Sequence, residues 1–183
     1  MKAATKLLYK YLLIASIFSG LVACSSVSRA ETVSADIEAV EASGIRNLMR
    51  ADESTFSSGQ PTKEELKALS EAGVENIVSL RTEGEIDWDE KAYVESLGMT
   101  YHSLPVSGET GINMENAAEL RGILDSVGDE ATVLHCGSGN RVGALMALDA
   151  LNSNGGDIDS AVEVGKEWGL TRLESTVRAQ AEE

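Results

Sequence analysis

The stretch Val133-Leu134-His135-Cys136-Gly137-Ser138-Gly139-Asn140-Arg141-Val142-Gly143 decides the fold. An apolar run ends in a cysteine. Two glycines and small polar residues follow, and an arginine opens an apolar stretch of helical length. The pattern reads as strand, tight loop and helix. Such a turn places Cys136 at the carboxyl end of a strand and the amino end of a helix. Loop N–H groups then converge into a concave anion site. Arg141 adds a planar fork that keeps its charge. Sulfur held there is favoured as the thiolate, the nucleophilic form. Cys136 and Arg141 are the candidate reactive pair, and Gly137, Ser138, Gly139, Asn140 and Val142 the candidate anion-binding loop.

On either side of this stretch, strand and helix patterns alternate. Segments 45–51 and 55–59 read as short strands joined by Asp52-Glu53-Ser54. After Pro61, Thr62 and Glu65 form a capping box, and the helix they open stops at Gly73. Apolar strands follow at 74–80, ending before Arg81, and at 99–104, with a helix over 90–97 between them. Asn113 caps a helix carrying Leu120 and Leu124 on one face. Segment 142–151 is apolar on nearly every side, which predicts a buried helix. A further helix is expected over 160–168, and Thr171 with Glu174 reads as another capping box. A short helix within 36–42 also fits. This order predicts an α/β fold with a mostly parallel central sheet flanked by helices in three layers. Ligands of such sheets bind beyond the carboxyl strand ends. That edge would gather Cys136, Arg81 and the 105–111 loop.

Composition narrows the chemistry. The chain has 183 residues and a formal net charge of −15. Nucleic acid is a poor partner for such an acidic chain. Aromatic residues make up only 4%, which argues against an aromatic ligand box. The two cysteines, Cys24 and Cys136, are no disulfide framework. With only His102 and His135 beside them, no zinc cluster assembles at usual spacings.

The first ten residues are basic, and 11–23 are apolar or small. That run is too short to span a membrane but suits a signal-peptide core. It ends in Leu21-Val22-Ala23-Cys24, which resembles the lipobox of bacterial lipoproteins. The resemblance implies lipidation at Cys24 and a signal peptide over 1–23. Cleavage after Ser28-Arg29-Ala30 is the alternative. A spacer over 24–44 and one catalytic domain over 45–183 complete the expected organisation. Because Ser25, and no aspartate, follows the cysteine, the same resemblance implies a periplasm-facing protein in the outer membrane, touching the membrane by its anchor only.

Several motifs resemble the cysteine-dependent tyrosine and dual-specificity phosphatases. They are Ser58-Gly59-Gln60-Pro61-Thr62, Gly73 before a strand ending Leu80-Arg81, Gly98, Pro105-Val106, and the loop from His135 to Arg141. The similarity is strongest to the small bacterial branch of phosphatase-like domains fused to beta-lactamase-like hydrolases. It implies a hydrolase of phosphomonoesters that passes through a cysteinyl-phosphate and needs no metal and no cofactor. A carboxylic acid would protonate the leaving oxygen and then activate water. The family's acid is an aspartate in the loop after the Pro105-like position, where Glu109 is the only carboxylate here. Asp87 and Asp89 lie in another loop on that edge. From the residues themselves, His135 is either a satisfied core histidine or one that orders the nucleophile loop, and Arg81 would contact substrate or pair with a local carboxylate such as Glu83.

Two departures open alternatives. Only Gly137, Ser138, Gly139 and Asn140 separate Cys136 from Arg141, one residue fewer than in the phosphatase loop. That spacing resembles the loop of rhodanese-type sulfurtransferases, which implies a Cys136 persulfide and a sulfur-donor anion as substrate. Val142 also replaces the usual serine or threonine. A third reading is a non-catalytic, anion-binding lipoprotein. A reactive thiol in an oxidising compartment would need a recessed pocket.

Overall fold

The computed structural model describes residues 34–182. The expected signal peptide, Cys24 and the alternative cleavage site lie outside the described residues. No helix among the described residues is long and apolar enough to cross a membrane.

Five strands form one sheet in the order β1-β2-β5-β3-β4: β1 (Met49–Arg50), β2 (Thr55–Ser58), β3 (Asn76–Ser79), β4 (Thr100–Ser103) and β5 (Thr132–His135). Only β1 runs antiparallel, paired with β2; the other pairs are parallel. The chain steps from β2 past the central position to β3 and later fills the gap with β5. This is the α/β sheet expected from the strand–helix alternation.

Strand β5 is buried at every position, as a central parallel strand must be. Its side chains alternate between the two cores. Val133 joins Phe56 and Ile77 under α1 (Ile37–Glu41), α2 (Lys63–Glu71) and α3 (Glu90–Ser96). Leu134 joins Val78 and Leu80 on the other face, under α4 (Met114–Val127), α5 (Asn140–Ser153), α6 (Ile158–Glu167) and α7 (Glu174–Gln180). Helices on both faces make three layers.

Helix ends follow their capping chemistry. Thr62 accepts from Glu65 N while the Glu65 carboxylate accepts from Thr62 N, the reciprocal box the sequence predicts. Asn113 accepts from Asn116 N at 2.9 Å. The second expected box fails: α7 has Leu173 at its N-cap position and no side-chain cap. Thr171 instead donates its N–H and hydroxyl to Asn140 Oδ1, so its side chain serves the nucleophile loop.

The domain also begins earlier than residue 45. Asp36 caps α1 and its N–H donates to Ala72 O at 2.7 Å, while Val40 is fully buried. The stretch 36–44, expected as spacer, therefore packs on the domain, because Val40 fills the core under α2.

Helix α5 carries the nucleophile loop at its start and is buried along most of its length. It crosses α6 very closely. A Cβ on Gly143 would lie 2.1 Å from Leu170 N, and one on Gly165 would lie 2.7 Å from the Ala147 Cβ. Only glycine fits at either point. Such packing holds the nucleophile loop on a rigid element.

Candidate active site

Three strand ends converge beneath Cys136. Ser58 and Ser79 are the register partners of His135, the last residue of β5. The loop then turns over Ser58-Gly59: Cys136 N donates to Ser58 O, and Gly59 bridges Ser138. A side chain on Gly59 would press on Arg46 O at 2.9 Å, so this approach requires glycine.

Cys136 lies on the floor of a cleft of about 790 Å³, only 1% exposed. Its Sγ accepts from Gly139 N at 3.2 Å and Ser138 N at 3.5 Å. These amides, at the start of a 14-residue helix, stabilise negative charge on sulfur. Gly139 has φ +85°, a left-handed conformation that favours glycine and lets the chain enter α5. Gly137 has no such φ, and a Cβ there would meet Arg141 Nη2 at 3.6 Å, an ordinary contact.

Arg141 is held from one end. Its Nη1 donates to Leu80 O, Val106 O and Glu85 Oε1, and its Nη2 donates to Glu85 Oε2 at 2.6 Å. The rest of the fork lies within hydrogen-bond reach of the Cys136 sulfur and lines the cleft, where a ligand held at sulfur meets it. The hydrogen bonds from Arg141 hold the Glu85 carboxyl down at about 2. Reciprocally, Glu85 and the nearby Cys136 raise Arg141 above its ordinary value, although burial opposes this. Glu85 is thus ionised at neutral pH and has no proton to give.

Glu85 was not among the residues singled out from sequence. It sits in an acidic loop beside other carboxylates, and nothing in the spacing separates it from Glu83 or Asp87. The Arg81 side chain fixes that loop, donating to Glu85 O and to Gln60 Oε1. Arg81 does not line the cleft, so its role is to hold Glu85, and its carboxylate partner is Glu85 rather than Glu83.

The other expected residues divide clearly. Glu109 is exposed and lines the cleft with Cys136, Gly137, Ser138, Asn140 and Arg141. Asp89 is committed to capping α3, and neither it nor Asp87 lines the cleft. Val142 is fully buried in the core and does not line the cleft, because the first turn of α5 faces the sheet. Asn140 lines it, yet its side-chain oxygen accepts from Thr171 N, Thr171 Oγ1 and Arg172 N. That amide anchors the chain before α7 and is not spare for an anion.

His135 is fully buried next to Glu90, with Nε2 3.4 Å from Glu90 Oε2, but neither ring nitrogen makes a well-aimed hydrogen bond. Glu90 also accepts from Gln60 Nε2 and, at 3.2 Å, from Tyr101 Oη. Burial pushes the Glu90 carboxyl up, but His135 and these donors outweigh it and hold it below the ordinary range. His135, Glu90, Gln60, Arg81, Glu85 and Arg141 therefore form one polar chain under the loop. Among the described residues, no three His, Cys, Asp or Glu side chains are grouped to hold a metal ion.

Solved structures share this arrangement of strands and helices. A DUF442 protein of Shewanella putrefaciens CN-32, named as a candidate phosphatase, superposes with TM-score 0.60 at 20% identity, over 80% of this chain and 96% of its own. Tk-PTP in its active form gives 0.61 at 17% identity, over 74% and 96%. A cysteine-to-serine variant of TpbA from P. aeruginosa, in complex with phosphotyrosine, gives 0.52 at 18% identity, over 74% and 82%. The fold is shared with these phosphatases. No family model and no curated protein matches the chain.

Proposed function

We propose that the chain is a cysteine-dependent phosphatase of phosphomonoesters. The observation that carries this reading is the pairing of Cys136 Sγ, held by the Ser138 and Gly139 amides, with an Arg141 fork that Glu85 fixes in the same cleft. The fold shared with Tk-PTP and TpbA supports it. The Cys136 thiolate attacks phosphorus, and the P–O bond to the leaving group breaks with its electron pair on oxygen. Glu109 protonates that oxygen. Water then attacks the cysteinyl-phosphate, giving its proton to Glu109, and the P–S bond breaks to restore the thiolate. Arg141 and the loop amides bind the phosphoryl oxygens, most strongly as charge develops in the transition state.

We also propose that the protein is exported and lipid-anchored at Cys24 on the periplasmic side. The support is the basic, apolar and Leu21-Val22-Ala23-Cys24 sequence, and the recessed floor position of Cys136 suits an oxidising compartment.

The test is phosphate release from an aryl phosphate by the full chain. Cys136→Ser should reduce release to background, and activity that survives this change removes the mechanism. The sulfurtransferase reading keeps one favourable observation, the four residues between Cys136 and Arg141. It predicts a mass gain of one sulfur on Cys136 after thiosulfate. The phosphoryl reading is preferred because the fold is the one shared with Tk-PTP and with TpbA, whose cysteine-to-serine variant holds phosphotyrosine.

A further inference from the structure

The charges that line the cleft are unlike those elsewhere among the described residues. Arg46 and Arg172 both line it with Cys136. Neither guanidinium pairs with a carboxylate, in a chain carrying 30 acidic residues against 15 lysines and arginines. Every other lysine and arginine among the described residues has a carboxylate within 4.0 Å, except Lys63, which lies over the Trp88 and Tyr93 rings. Carboxylates are abundant, so two unpaired cations on one cleft are not accounted for by surface charge.

Both arginines are tied to the nucleophile loop, Arg46 through its side chain and Arg172 through its backbone. Arg46 donates from Nη2 to Gly137 O, and its neighbour Asn47 donates to Ser138 O at 3.1 Å. Asn47 has φ +55°, which turns the chain onto the loop. Arg172 is fixed from the other side: its N–H, with both donors of Thr171, is bound by Asn140 Oδ1. Arg141 is already engaged by Glu85 and keeps one edge for the group at sulfur. Of the two carboxylates lining the cleft, Glu85 is committed to Arg141, and Glu109 is the proposed acid.

We infer that this cleft takes a phosphomonoester carrying a second anionic group, bound by Arg46 and Arg172 while the phosphoryl group sits on the loop from Cys136 to Arg141. The inference rests on the phosphatase reading for its chemistry, but its binding claim stands apart from turnover. The arginine fork suits phosphate or carboxylate oxygens, and its charge offsets the repulsion between an anionic substrate and an acidic protein.

The experiment compares phenyl phosphate with 1,4-phenylene bisphosphate on the full chain, for turnover and, with Cys136→Ser, for binding by calorimetry. The bisphosphate should bind at least about tenfold more tightly, and each of Arg46→Gln and Arg172→Gln should reduce that preference by about tenfold or to the statistical factor. Arg121→Gln, which removes a charge paired with Asp149 away from the cleft, should leave the preference as it was. Equal binding of the two probes overturns the inference, as does a preference that persists in the double arginine variant or falls equally in Arg121→Gln. Arginine-dependent preference in binding without turnover of either probe keeps the second anion site and removes the phosphatase reading.

Discussion

At the scale of single residues, the two loop glycines separate by backbone conformation. Gly139 occupies the left-handed region, so Gly139→Ala should cost roughly 1–2 kcal/mol. Gly137 has ordinary backbone and room for a methyl, so Gly137→Ala should cost under about 1 kcal/mol. Urea denaturation of both variants checks the difference, and equal losses would contradict it. Glu85 makes a second residue-scale prediction. Its carboxyl is held at about 2 by Arg141, below the ordinary 4.5 of an unfolded chain. A lowered carboxyl contributes stability that is present above the unfolded value and lost as pH falls toward the folded one. Thermal stability should therefore drop between about pH 4.5 and 2, and Glu85→Gln should flatten that part of the profile. The same substitution removes the charge that aims Arg141, so phosphate release at neutral pH should fall about tenfold or more.

At the scale of elements, the α5 start and the chain before α7 act as one unit. Asn140 Oδ1 accepts three hydrogen bonds from Thr171 and Arg172 while the residue is almost fully buried. Asn140→Ala would leave these donors without their acceptor, at about 1–3 kcal/mol. It should also release Arg172 from its place at the cleft. Denaturation and fast hydrogen exchange at Thr171 and Arg172 amides are the readouts; unchanged protection there would show that the segment is held by other contacts. Much of this level was legible in the sequence. The strands, the buried α5 and two caps follow from periodicity and capping chemistry. The Thr171 box misled because Thr–x–x–Glu describes a local pattern, whereas the threonine's donors were taken by a residue 31 positions earlier.

At the scale of the whole molecule, the domain boundary is set by burial. A chain starting at residue 34 keeps Val40 in the core, and one starting at residue 45 loses it with the Asp36–Ala72 hydrogen bond. The shorter form should be less stable by about 1.5–3 kcal/mol for the lost side chain alone. Equal denaturation midpoints would return 36–44 to the role of spacer. The sequence allowed the short helix within 36–42, but a small polar composition hid its docking, which Val40 and the partly buried Ile37 carry.

The sequence by itself determined the nucleophile turn, because a strand, a glycine-containing loop and a buried helix are local consequences of residue type and spacing. It placed Cys136, Arg81 and the 105–111 loop at one edge through the rule that parallel strands end together, and of these Arg81 is the one that does not line the cleft. Only the tertiary structure chose the partners. It put Glu85 on Arg141 and, in place of Glu83, on Arg81, withdrew Val142 into the core, turned Asn140 away from the anion, and brought Arg46 and Arg172 to the same cleft. Charges have no periodicity, and a guanidinium finds its partner through the packing of distant segments. That pairing exists once the sheet has brought residues 46, 85, 141 and 172 together.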